Sequence, residues 1–151
     1  MKPILIVGLG NPLMGDEGVG VHVGEALKKH LNLPESVEVM IGGSDLLRIA
    51  DLLPGRHKVI LIDALLDAGP VGTVHWFLQE SAGLSQQQRH AHQLSAVQSI
   101  QLLKKLHPVL KDTTFLFACI SVVSAELRPE LSAKLSARVG EIVREIMSLI
   151  Q

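Results

Sequence analysis

The apolar positions along the chain fall into two alternating kinds of run. Short unbroken runs, Ile4-Leu5-Ile6-Val7 and Val59-Ile60-Leu61-Ile62 followed by Asp63, have the length and β-branched content of strands buried on both faces. Val37-Glu38-Val39-Met40-Ile41 and Thr114 to Ile120 read as two more. Between them the spacing changes to that of a one-sided helix: Val19, Val23, Ala26 and Leu27 within Gly18 to His30, and Val97, Ile100 and Leu103 within a helix from about Gln93 to Leu106 that Pro108 ends. A final amphipathic helix carries Leu135, Val139, Ile142, Ile146 and Leu149 on one side. Ser44, after Gly42-Gly43, is suited to cap a helix running to about Leu53, where Pro54-Gly55 stops it.

Strand and helix therefore alternate, which predicts an α/β fold with a largely parallel sheet. Two right-handed crossovers place the first strand between the second and the third, a local order 2-1-3 with a switch point between strands one and three. The apolar stretch Thr73 to Leu78 follows the third strand after only the Asp67-Ala68-Gly69-Pro70 turn region. A parallel crossover needs about a dozen residues or more, so this strand is expected to run antiparallel. Gln79 to Gln88 is a polar loop with little hydrophobic content.

The first strand leads into Gly8-Leu9-Gly10-Asn11-Pro12-Leu13-Met14-Gly15-Asp16-Glu17-Gly18-Val19-Gly20, a glycine-rich turn opening a helix. A dinucleotide fingerprint would need glycine where Leu13 stands, and a phosphate loop would need Lys and then Ser or Thr where Asp16 and Glu17 stand. Two carboxylates at a helix mouth repel phosphate and suit a cation. Asp63 ends the third strand at the same carboxyl edge, so Glu17 and Asp63 flank one crevice at the switch point. A third group is expected from Arg89-His90-Ala91-His92-Gln93-Leu94, where a histidine meets the start of a helix; His90 and His92 both qualify. Two carboxylates and an imidazole suit a borderline divalent ion such as nickel or zinc, and three protein ligands leave positions open for a substrate.

The 151 residues amount to a single domain, 1–151, long enough to bury roughly 70% of the surface its unfolded chain would expose. Lys and Arg total 14 against 15 Asp and Glu, which gives no basic excess of the kind a nucleic-acid or anionic-membrane partner would select. The one cysteine, Cys119, lies in an apolar run and suits a core position in a reducing compartment, so a cytoplasmic location is expected. No run reaches the ~18 apolar residues of a membrane span. Neither a Ser-His-Asp order nor an H-E-x-x-H motif supports a self-contained serine or zinc protease.

Gly10-Asn11-Pro12-Leu13-Met14-Gly15-Asp16-Glu17-Gly18-Val19-Gly20, the Gly42-Gly43-Ser44 turn, Ile62-Asp63-Ala64 and His92-Gln93-Leu94 together resemble the hydrogenase maturation endopeptidases, in order and spacing over most of the chain. The resemblance implies a three-layer α/β/α sandwich of phosphorylase/hydrolase-like type. Its five-stranded mixed sheet would have order 2-1-3-5-4 with the fourth strand antiparallel. It implies an endopeptidase that removes the C-terminal peptide of a [NiFe]-hydrogenase large-subunit precursor once nickel is inserted. Glu17, Asp63 and His92 fall on the family's nickel-recognising positions. The nickel would arrive with the substrate, zinc or cadmium being able to take its place in vitro. Glu17, Asp63, His92 and Asp16 are then the candidate catalytic residues, a carboxylate or the ion activating water. A monomer is expected, with the hydrogenase precursor as partner.

The chain departs from the family at Ile41, where an Asp is frequent, and at Ala118-Cys119-Ile120-Ser121, after which a glycine and proline are common. Two other readings are set against this one. A non-catalytic metal-dependent adaptor would dock on the same precursor. A peptidyl-tRNA hydrolase shares the opening Leu5 to Pro12, but the chain has no tyrosine and no basic groove for RNA.

Overall fold

The computed structural model of the chain describes residues 1–66, 69–79, 91–123 and 126–151, and of residues 91–95 it describes the backbone only. The strands are β1 (Ile4–Leu9), β2 (Val37–Gly43), β3 (Lys58–Leu66), β4 (Val74–Leu78) and β5 (Thr114–Val122). The helices are α1 (Val19–Lys28), α2 (Ala91–Leu106), α3 (Ala133–Ser136) and α4 (Val139–Ile150). The sheet order is β2-β1-β3-β5-β4, all parallel except β4, which pairs antiparallel with β5. Both the expected order and the direction of β4 are therefore present. Most of the polar loop expected over 79–88 lies outside the described residues; Gln79 is buried and accepts a hydrogen bond from Lys104 Nζ (3.2 Å).

Side-chain alternation along the strands divides the core into two layers. One face of the sheet, with Ile6, Ile60, Ile62 and Ile120, packs under Val19, Val23 and Leu27 of α1 and Ile142, Ile146 and Ile150 of α4. The other, with Leu5, Val7, Leu61 and Phe117, packs under Val97, Ile100 and Leu103 of α2 and the Leu46–Leu52 turn. Cys119 is fully buried in this second layer, as its apolar neighbours predict. Among the described residues no helix is long and apolar enough to cross a membrane.

Three local expectations are corrected. The segment after β2 is a 3-10 helix, broken at Ile49, and its cap is Asp45 rather than Ser44: the Asp45 carboxylate accepts from Leu47 N–H (3.0 Å). The C-terminal apolar face splits between two helices, α3 burying Leu135 and α4 burying Ile142 and Ile146. Leu149 is 44% exposed, while Val143 and Met147 are buried instead, because α4 starts afresh at Val139 and its inward stripe is rotated from the one drawn through Leu135.

The glycines of α1 bring it unusually close to the sheet. A Cβ on Gly20 would stand 2.3 Å from the carbonyl oxygens of both Leu9 and Ile62, and one on Gly8 would stand 2.4 Å from Gly20 O. The first turn of α1 is thus seated between the carboxyl ends of β1 and β3. Gly20→Ala is expected to lower stability by about 2 kcal/mol or more, because rigid backbone must move to admit the methyl group. Gly140→Ala, at an exposed helical position with only Arg144 Nη1 nearby at 3.7 Å, is expected to raise it by about 0.5–1 kcal/mol. Urea unfolding of the two variants beside the wild type checks both signs.

Candidate active site

β1 ends in a loop whose shape is set by backbone and short polar groups. Gly10, at φ 124°, donates its N–H to Gly43 O (2.9 Å), which ties the loop to the end of β2. The Asn11 side chain accepts from Leu13 N–H (3.0 Å), and Asn11 O accepts from Met14 N–H (3.0 Å). Gly15, at φ 58°, then turns the chain into a 3-10 turn, Gly15–Gly18, that runs directly into α1. Glu17, half-buried, sits on this turn, and the turn packs against β3. Because Gly20 touches Ile62 O, the residue before Asp63, the backbones that carry Glu17 and Asp63 meet at the switch point between β1 and β3.

Asp63 is only 4% exposed, and its Oδ1 accepts from Ala64 N–H (2.8 Å). Alternation puts it on the α2 side of the sheet, in line with Leu61. Register extends the line across the neighbouring strands: Asp63 lies opposite Cys119 on β5, and Cys119 opposite His75 on β4. The His75 ring is hydrogen-bonded through Nε2 to Ser121 Oγ (2.9 Å), and Ser121 is fully buried. Sequence reasoning missed His75 and Ser121. The available signal was a hydroxyl inside the apolar run that ends β5, and its significance depended on pairing with β4.

Asp16 has a different setting from Glu17. It is 8% exposed, and both its oxygens are engaged by Ser132, Oδ1 by the backbone N–H (2.6 Å) and Oδ2 by the hydroxyl (2.8 Å). It lines a polar cleft of about 90 Å³ with Gly15, Glu126, Arg128 and Ser132, and neither Glu17 nor Asp63 lines that cleft. Ser132 was not singled out by the sequence.

His92 is the second residue of α2, whose described inward side chains cover the Asp63 face of the sheet; its own side chain lies outside the described residues, as does the whole of His90. Among the described residues no three His, Cys, Asp or Glu side chains form a set able to hold a metal ion. At Ile41, Ala118 and Ile120, where the chain departs from the family pattern, the structure shows apolar packing. The end of the Ile41 side chain fills the space beside Gly8 and Gly24, under α1, and Ala118 and Ile120 are buried on the same face.

Comparison with known proteins bears on this arrangement. A sequence model described as hydrogenase maturation protease matches residues 21–149. FrxA of Pyrococcus furiosus is 30% identical over 140 residues, covering 91% of this chain and 98% of that protein. The hydrogenase 2 maturation protease of Escherichia coli is 24% identical over 152 residues, 98% of this chain and 90% of that one. Among solved structures, the [NiFe] hydrogenase maturation protease HybD from Thermococcus kodakarensis superposes with a TM-score of 0.84 at 30% identity, over the whole of both chains. The sheet order, the buried acid at the end of β3 and the acidic turn before α1 thus occur in a chain that matches along almost its entire length: it belongs to the hydrogenase maturation protease family and is an endopeptidase.

Proposed function

We propose that the chain removes the C-terminal peptide of a [NiFe]-hydrogenase large-subunit precursor, and that Glu17, Asp63 and His92 recognise nickel already held by that substrate. The observation that carries this reading is the seating of Gly20 between the carboxyl ends of β1 and β3, which brings the Glu17 turn and the Asp63 strand end to one crevice. Two carboxylate donors with an imidazole are a donor set of borderline character, matched to nickel or zinc better than to calcium. A site with only three donors of its own leaves the ion free to keep its substrate ligands.

The substrate's nickel would supply Lewis acidity near the scissile carbonyl and fix that bond in place. The chain's own residues supply the proton traffic. A carboxylate of Glu17 or Asp63 takes a proton from the attacking water as the new C–O bond forms. The same proton then passes to the leaving nitrogen as the C–N bond breaks, so that an acid and an amine result with no net change on the enzyme. Burial of Asp63 keeps bulk water away from that exchange. Cutting is thereby coupled to loading, since a precursor without nickel offers the three donors nothing to hold.

In a reconstituted assay, nickel-loaded precursor is expected to be shortened and nickel-free precursor to stay whole; equal cutting of both would remove metal recognition from the proposal. Binding of loaded precursor without release of a peptide would instead favour an adaptor. Glu17→Gln, Asp63→Asn and His92→Ala are each expected to lower kcat/KM by about 10²-fold or more. His90→Ala is expected to stay within about threefold of wild type, an effect of under ~0.7 kcal/mol. Cleavage rates from gel-resolved time courses, with thermal melts to show that each variant is folded, decide the matter.

A further inference from the structure

We propose that Asp16 is a positioning residue: by closing on Ser132 it clamps the segment after β5 to the glycine loop and so fixes the turn from which Glu17 enters the crevice. This rests on the role given to Glu17 above. The clamp has two backbone and two side-chain components. Gly15 N–H donates to Arg128 O (2.8 Å), and Arg128 N–H donates to Leu13 O (2.9 Å), making a parallel bridge between Met14 and Arg128. Ser132 N–H and Oγ–H donate to the two oxygens of Asp16.

Each atom of Ser132 is committed by this geometry. Its hydroxyl accepts from Leu135 N–H (3.3 Å) as the cap of α3, so its single proton goes to Asp16. The approach is close as well. A Cβ on Gly15 would stand 3.1 Å from Glu126 O and 3.2 Å from Arg128 Cγ, which leaves little room for the loop to settle elsewhere.

Asp16 and Glu17 are consecutive in a single 3-10 turn, so they share a peptide unit, and a backbone rotation that Asp16's grip on Ser132 resists would swing Glu17. The Asp16 carboxylate, however, opens on the cleft beside Arg128, which Glu17 does not line. Of the two adjacent acids, Asp16 thus grips the far side of the turn, and Glu17 keeps the role given to it above. A misplacement of a catalytic group by about 1 Å can cost about 10²-fold in rate, so a clamp of this kind is felt in turnover.

The test uses the full chain and nickel-loaded precursor, with kcat and KM measured well below each variant's melting midpoint. Asp16→Ala is expected to lower kcat by about 10- to 100-fold with KM changed less than about twofold. Asp16→Asn, which can still accept from Ser132 N–H, should recover to within about threefold of wild type. Ser132→Ala should lie between the two, and adding it to Asp16→Ala should cost nothing more, since the pair acts as a unit. An Asp16→Asn as inactive as Asp16→Ala, beside an unaffected Ser132→Ala, would put Asp16 in the chemistry and overturn the proposal. A lowered melting midpoint with undiminished kcat would reduce the pair to a structural contact and overturn it too. Should wild type fail to cut the precursor, the role of Glu17 falls, and hydrogen exchange still tests the clamp. Amides of Gly15 to Gly18 exchanging about tenfold faster in Asp16→Ala would support it, and unchanged exchange would overturn it.

Discussion

Everything at the carboxyl edge of this sheet depends on how closely α1 lies against it. Gly8 on the strand and Gly20 on the helix leave no room for a side chain between the two elements at that turn, so backbone rests on backbone. Val19, Val23 and Leu27, all fully buried, then lock the helix down on the same face. The contact fixes both the height and the rotation of the Gly15–Gly18 turn. A thicker spacer would lift the acidic turn off the edge and away from the end of β3.

The two edges of the sheet use charge in different ways. At the amino edge the Arg56 guanidinium is buried and spends its donors on fixed partners, Leu52 O (3.0 Å), Lys2 O (2.8 Å) and the Glu38 carboxylate (2.7 Å). Its own carbonyl accepts from Thr113 Oγ1 (2.8 Å), joining the starts of β1, β2, β3 and β5 in one network. A buried charge paired in this way fixes an arrangement rather than a ligand. The carboxyl edge instead gathers acids on a turn and a strand end, the place where open α/β sheets bind what they act on. There Asp16 is held by Ser132 much as Arg56 is held at the opposite edge.

Local chemistry made much of this legible in advance. Unbroken apolar runs announced β1 and β3, the short turn after β3 forced β4 to reverse, and the acids of the glycine loop excluded phosphate. The failures were equally physical. Ser44 and Asp45 are both competent caps, and only the path of the chain after β2 selects the second. A single helical wheel drawn through Leu135 and Leu149 missed the restart at Val139, which turned Val143 and Met147 inward.

What the sequence determined by itself was most of the elements, the local order 2-1-3, the reversal of β4 and the presence of acids at the carboxyl edge, because periodicity and turn length act over a few residues; the placing of β5 between β3 and β4 was implied by the family resemblance. The difference between Asp16 and Glu17 belongs to the tertiary structure. As neighbours in one sequence they are nearly the same chemical group, and nothing local separates a holding carboxylate from a reacting one. Ser132, from a distant part of the chain, makes the distinction by taking both oxygens of the first. A hydrogen bond between distant segments exists only once the chain has closed on itself, which is why no reading of the sequence could have supplied it.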